Sequence, residues 1–519
     1  GHALLEAPFL FPNTAVMMET VLRAHVACSD GYVGSLRNSK RLDCLPLKPR
    51  GLSGKRISSR FGKCVAAAKL GSQTAAPTSP AATAEFWDWM MSKEVTDACV
   101  RPTTDVEEGV GLVATRKIRK KEALLAVPET LLFDYKCAAQ GPLGEYLAEL
   151  KPWLAVALNL INEKHMGGAS QWAPYMNMLP ESLELPLFWT EEELAQLEGT
   201  QVLQSSESYR QYVESEFMGL REYVFAPNAG VFPEEVFNLE SFTWAFGTLR
   251  SRTFAPYEGE QIALVPGLDL ANHASQPLAE CVQKGAGFFG AGTPTAALQS
   301  LTEIVEGEQV YVRYGDKTNS QLALDHGFVD STNTAGAYLL NLGIPQEDAF
   351  FDDKADIADL VGIGESFQFL LRGRGEPDPD LIIYLRLIQL GGTDAFLLEA
   401  LFRDRAWNLI SQPVSLENEQ AVCDCMVDGC KEALSGYTTT VAEDEAMLQS
   451  GGLPYRTHVA VTARLGEKRA ILSTMAYFEQ YKEKLPYLEY YQERRLKDLG
   501  LMDDSGQNTY DDFFKDGIA

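Results

Sequence analysis

The chain has 519 residues, 45% of them hydrophobic and 23% charged, with a formal net charge of −27. Such a length exceeds one ordinary core and predicts two or three domains, while no apolar run reaches the roughly 18 residues that cross a bilayer, which argues against a membrane-spanning protein. Residues 1–84 carry eleven basic and four acidic side chains, so the remainder stands at −34 and would repel a phosphate backbone, against a nucleic-acid enzyme.

Within the leader, residues 31–84 hold ten Lys or Arg and one acidic residue, Asp43, in a Ser- and Ala-rich background. Organelle transit peptides have this composition, so 1–84 is expected to be a disordered leader. "AEFWDWMMSKEV" predicts a short amphipathic helix that opens the folded part. "EEGVGLVATRKIRKKEALLAVPETLLF" sets two apolar runs around the basic turn "RKIRKKE", which predicts a hairpin. From about 140 to 250 apolar residues recur three or four apart, as in "KPWLAVALNLINEKH" and "NLESFTWAFGTLRSRTF", and predict helices. Strand patterns return in "QIALVPG", "ALQSLTEI" and "EQVYVRYG", the last ending at Tyr314 before a Gly-Asp turn and a helix from Asn319. Beyond about 345 helices dominate, with the Pro-punctuated "RGRGEPDPD" as a boundary. The predicted class is α+β, with a β-rich domain over 85–335 holding a helical insert at about 140–240, a helical domain over 345–500, and a tail over 501–519.

Nine cysteines occur without repeated CxxC pairs. The one cluster, Cys423, Cys425 and Cys430, lies in a helical pattern whose spacings do not turn three thiols to one metal. With six histidines in the chain, no metal site is expected. "GVGLVA" at Gly109–Ala114 fits the dinucleotide fingerprint, but no apolar strand precedes it and no helix follows, so the fingerprint lacks its context. Asn272-His273 in "LDLANHAS" reads in isolation as a helix cap and a core histidine. No G-x-S-x-G elbow accompanies it, so a serine hydrolase is unsupported.

In order, "EGVGLVA", "FGTLRSRTF", "VPGLDLANHAS" and "EGEQVYVRYGDKTNSQLALDHGF" resemble the signature segments of SET-domain protein methyltransferases, specifically the plastid Rubisco large subunit lysine methyltransferase group. "GYTTTVAEDEAML" and "LEYYQERRLKDLGL" are similar to that group's helical substrate-docking domain. The resemblance implies S-adenosylmethionine as cofactor, and Rubisco large subunit or fructose-bisphosphate aldolase in the chloroplast stroma as substrate. It implies no nucleic-acid or membrane partner. By motif match, Glu108, Gly109 and Val110 would meet the cofactor through their backbone, Arg252 its carboxylate, and Asn272 and His273 its adenine and amino-acid ends. Arg252, Asp269, Tyr314 and His326 would border the lysine channel, with Tyr314 as the catalytic tyrosine. Two departures stand out: His326 replaces a tyrosine of the pattern, and "ASQPLAECVQ" lacks an expected aromatic. An imidazole at 326 would alter the number of methyl groups added or titrate near neutral pH. The alternatives are a histidine methyltransferase of a related SET subgroup and a non-catalytic binding protein.

Overall fold

The computed structural model describes residues 79–285, 294–333 and 336–503, so most of the expected leader and tail lies outside the described residues. Helix α1, Pro80–Met91, starts inside the stretch assigned to the leader, because the Ser79 side chain accepts from Ala82 N–H and caps it, with Pro80 at the first position. Its apolar face puts Phe86 and Met90 into the core.

The segment expected to be a hairpin is not one. Strand β2, Gly111–Ala114, pairs antiparallel with β1, Val100–Thr103, whereas β3, Ala123–Pro128, pairs with a strand far ahead in the chain. Periodicity sets which residues prefer strands and leaves their partners open; here Lys121 N–H bonds Ser300 O and Ile118 bridges Ile304, so the turn is stitched to residues near 300. Short β4, Phe133–Asp134, pairs with β5, Ala263–Leu264. The "QIALVPG" strand is thus reduced to two residues.

The helical insert follows as expected, with α2 at Pro152–Met166, α3 at Gln201–Leu220 and α4 at Leu239–Arg252. Asn238 caps α4 by accepting from Ser241 N–H. After it, β6, Asn272–His273, pairs in parallel with β9, Tyr311–Val312, while β7, Ala279–Lys284, and β8, Thr295–Ser300, form a three-stranded sheet with β3. The strand around Tyr311 therefore stops two residues before Tyr314. Helix α5, Asn319–His326, begins where expected, fixed by a capping box between Thr318 and Gln321.

The C-terminal region is helical, and it carries one strand that the sequence reading passed over: β11, Ser366–Arg372, pairs with β10, Ala337–Gly343. The segment "RGRGEPDPD" is no boundary, since Phe369 and Leu371 before it and Leu381 after it share one core. Cys423 and Cys430 face inward from helix α6, Leu416–Ser435, and Cys425 faces out. No metal-binding group of His, Cys, Asp or Glu is found among the described residues. No single helix among the described residues is long and apolar enough to cross a membrane.

Two hydrophobic cores result, and one element serves both. Helix α7, Tyr455–Lys484, is 30 residues long; Val459, Ala460 and Ala463 enter the larger core, and Ile471 and Phe478 enter the C-terminal one. Arg456 of α7 adds paired contacts at 2.7 Å to Glu184 and to Glu193 of the insert.

Candidate active site

Three of the motif segments lie side by side. Val310 N–H bonds Leu112 O at 2.7 Å and Ala114 N–H bonds Glu308 O, which sets β2 against residues 308–312. On the other side, Ala274 N–H bonds Val312 O at 2.9 Å, continuing the parallel pairing of β6 with β9. Segments some 160 and 200 residues apart thus form one narrow crossing, as the spans of the Asn272–Val110 and Tyr311–Glu108 bonds show.

The glycines of "EGVGLVA" make this approach possible. Gly109 has φ +90°, where a side chain is strained. At Gly111 an added Cβ would stand 2.8 Å from Gln309 Nε2 and 3.0 Å from Asn272 Nδ2. With that space empty, Asn272 Nδ2 donates to Val110 O at 2.9 Å and holds the strap. Glu108 is exposed and accepts from Tyr311 O–H and Gln309 Nε2, each at 3.3 Å.

His273 is oriented by a donor that cannot change roles. Tyr314 N–H donates to Nδ1 at 3.1 Å, so the ring proton sits on Nε2. Among the described residues that nitrogen is buried without a hydrogen-bond partner, and the Asp330 carboxylate lies at 3.9 Å. Burial holds the imidazole below its ordinary pKa, against the opposing pull of Asp330.

Beside the crossing is a cavity of about 330 Å³, whose wall includes Arg252, Asp269, Tyr314 and His326. All four expected channel residues therefore meet there. Arg252, at the end of α4, donates from Nη1 to both the carbonyl and Oδ2 of Asp269 at 3.2 Å. The Asp269 side chain is fully buried and also accepts from Tyr175 O–H at 2.8 Å and Gly267 N–H at 3.1 Å. Its carboxylate is thus committed to fixing Arg252; burial raises its pKa, with Arg252 opposing. The Tyr314 hydroxyl donates to Ala271 O at 2.9 Å, which leaves its oxygen lone pairs as acceptors, and burial keeps the phenol protonated by raising its pKa.

His326 and Ser251 join the C-terminal ends of α5 and α4. His326 Nδ1 lies 3.0 Å from Ser251 O, and since a carbonyl only accepts, Nδ1 carries the proton. The neighbouring pair, Arg250 Nη2 and Asp325 Oδ1 at 2.5 Å, locks the two helices together. Burial, with the Lys317 charge adding, lowers the imidazole to about 3, so the expectation of titration near neutral pH is replaced by a ring that is neutral there. The ring centroid lies 4.7 Å from that of Tyr314.

Several contributors were not read from the sequence. Tyr175 sits in the insert within "QWAPYMNM", which carries no motif, and Ser251 acts through its backbone carbonyl. Phe328 is 6.2 Å from Tyr314 and 5.8 Å from His273, and its place in "DHGF" was a usable signal. Where the expected aromatic is missing, β7 supplies Cys281 to the cavity, and burial pushes its thiol up to about 12.

Residues 109–315 match the family model described as SET domain, and residues 345–471 the one described as Rubisco LSMT substrate-binding. The chain is 40% identical to a chloroplastic ribulose-1,5 bisphosphate carboxylase/oxygenase large subunit N-methyltransferase of Nicotiana tabacum, over 83% of this chain and 88% of that one. It is 41% identical to a chloroplastic [fructose-bisphosphate aldolase]-lysine N-methyltransferase of Arabidopsis thaliana, over 81% and 88%. Identity to the actin-histidine N-methyltransferase of Homo sapiens is 28%, over 77% and 69%. Among solved structures, the SET domain of LSMT bound to lysine and AdoHcy superposes with a TM-score of 0.75 at 38% identity, covering 85% of this chain and 99% of that one. Rubisco LSMT bound to AdoMet gives 0.74 at 39%, covering 84% and 99%.

Proposed function

Because the chain belongs to the SET-domain protein-lysine N-methyltransferases of the Rubisco large subunit type, we propose that the Tyr314 cavity admits a target lysine and that the crossing beside it holds S-adenosylmethionine. The protein is an S-adenosylmethionine-dependent lysine methyltransferase of the chloroplast, and the stroma is the compartment proposed. Rubisco large subunit and fructose-bisphosphate aldolase are the proposed substrates, after the relatives named for them. Docking of the folded substrate is assigned to the helical region over 345–500, and catalysis to 85–335 with its insert.

The observation that carries this reading is that Arg252 and Tyr314 share one cavity wall while Tyr314 N–H is bonded to His273 in the crossing behind it. The residues present suit the cofactor. His273 Nε2–H is a buried donor without an acceptor among the described residues, and Arg252 brings a guanidinium, held from one side by Asp269, that matches a carboxylate. Glu108, Gly109 and Val110 would meet the cofactor through a backbone that the glycine leaves unshielded. When bound, it supplies an electrophilic methyl group on a sulfonium.

The chain's own residues do the rest by positioning. Tyr314 offers its hydroxyl lone pairs in a buried setting, where an acceptor favours positive charge on the methyl in flight. Deprotonating the lysine costs roughly 3 kcal/mol near pH 8 from a reference pKa of about 10.4. Withdrawal from water in the cavity disfavours the ammonium form and reduces that cost, so water suffices as the proton acceptor.

The test is incubation of the protein with labelled S-adenosylmethionine and a stromal extract, beside a Tyr314→Phe control. Label is expected on Rubisco large subunit or aldolase, reduced about a hundredfold or more in the variant. Equal labelling by both proteins removes Tyr314 from the mechanism, and methylhistidine in the product by mass spectrometry overturns the lysine reading.

A further inference from the structure

Neither Tyr455 nor Glu467 lies in the cavity wall, yet both reach the short helix that carries part of it. Helix α5 brings the His326 ring against Tyr314, and Phe328 follows two residues beyond its end. Helix α7 bonds α5 at both ends. At the first turn Ser320 O–H donates to Glu467 Oε1 at 2.9 Å, and just past the last turn Gly327 O accepts from Tyr455 O–H at 3.1 Å. Between these contacts Ala323 and Leu324 of α5 share a core with Val459, Ala460 and Ala463 of α7. Each contact is anchored in turn. Gly327 lies against the Glu184 backbone, and Arg456, beside Tyr455, bonds the Glu184 carboxylate at 2.7 Å. Glu467 Oε2 accepts from Gln201 N–H at 3.1 Å and from Tyr437 O–H at 2.8 Å, while the Gln201 amide pairs with both backbone groups of Leu339 in β10.

The farther end of α7 lies in the other core, where Ile471 and Phe478 are buried and Tyr481 O–H bonds Glu419. One helix thus runs from the helical region to the site without a proline break. In-line transfer tolerates little misplacement of the amine, and a wall carried by two turns of helix is only as fixed as the ends of that helix. We propose that Tyr455 and Glu467 are positioning residues for methyl transfer. By bonding both ends of α5 they fix the ring wall around Tyr314, so that the helical region completes the active site as well as docking the substrate. The inference rests on the lysine reading of the cavity. Tyr455 acts through Gly327 O and Glu467 through the Ser320 hydroxyl, each from outside the cavity.

The experiment compares wild type with Tyr455→Phe, Ser320→Ala and Ser320→Thr on the labelled substrate protein, at a temperature well below unfolding. Tyr455→Phe keeps the ring and loses the donor, and Ser320→Ala removes the link between Glu467 and α5. Each is expected to lower kcat about fivefold with KM for the substrate protein nearly unchanged. Ser320→Thr, which restores a hydroxyl, is expected to recover most of the loss. Amide hydrogen exchange followed by mass spectrometry gives a readout that needs no substrate. Exchange over residues 319–328 is expected to quicken in Tyr455→Phe and Ser320→Ala, with α4 unchanged. An unchanged kcat in both variants overturns the proposal, and so does a loss that appears in KM alone, which would assign the contacts to docking. Protection of residues 319–328 equal to that of wild type overturns it as well. Absence of any lysine methylation by wild type instead counts against the underlying function, and the exchange pattern still decides whether α7 holds α5.

Discussion

The buried ion pairs of the C-terminal helical region and the two histidines of the site hold their polar groups in opposite ways. In the helical region, Arg386 donates from Nε and Nη2 to the two oxygens of Glu419 and from Nη1 to the carbonyls of Ile410 and Ser411, and Tyr481 O–H closes the set on Glu419. Asp444 is matched likewise by Arg464, Lys468 and Thr439. In the cavity wall and the crossing behind it, His273 and His326 each have one nitrogen bonded to backbone and the other without a partner among the described residues. A buried ion with no ligand to meet must be saturated by the fold itself. A group kept for a ligand is oriented by one bond and left open at the other, at a cost in stability.

The sharpest way to break this contrast is to remove one ion of the saturated cluster. Arg386→Met leaves Glu419 buried without its cation and is expected to lower stability by about 3–5 kcal/mol in denaturant unfolding. Replacing Glu419 with Leu as well should recover most of the loss; a single variant costing under about 1 kcal/mol would show that the cluster is not the support described here.

Glu467 of α7 stands between the two regimes. It accepts from Gln201 N–H of the insert, from Ser320 O–H of α5 and from Tyr437 O–H, and it is in no ion pair among the described residues. Burial therefore raises its pKa from an ordinary 4.5 to about 7. The folded protein keeps this proton where the unfolded chain has released it. The contribution to stability is thus fully present below about 4.5 and is lost as pH rises through about 7, amounting to roughly 3 kcal/mol. Unfolding measured from pH 4.5 to 8 should show this decline in wild type and a flatter profile in Glu467→Gln; parallel curves would refute the assignment.

The smallest effect belongs to the strap. Asn272→Ala removes the bond to Val110 O and should weaken S-adenosylmethionine binding about tenfold, read by calorimetry, with little change in melting temperature. An unaltered affinity would return Asn272 to a purely local role.

Much of the site was readable because its motifs are local. The capping box of Thr318 and Gln321 starts α5 where the pattern put it, and "FGTLRSRTF" ends α4 at Arg252 through its own cap and periodicity. Strand partners were not readable in this way. Apolar alternation in residues 107–133 suits a strand without saying whether its neighbour is twenty or 170 residues away, and β3 chose β8.

The amino-acid sequence by itself determined the ordered motifs, the α+β character and the residue types of the site, since propensity, capping and glycine freedom act over a few residues. Only the tertiary structure decided that Asp269 serves Arg252, that Cys281 fills the wall where an aromatic was expected, and which nitrogen of each histidine is bare. Those outcomes depend on burial and on single backbone groups such as Ser251 O and Tyr314 N–H, which every residue possesses and no sequence pattern marks.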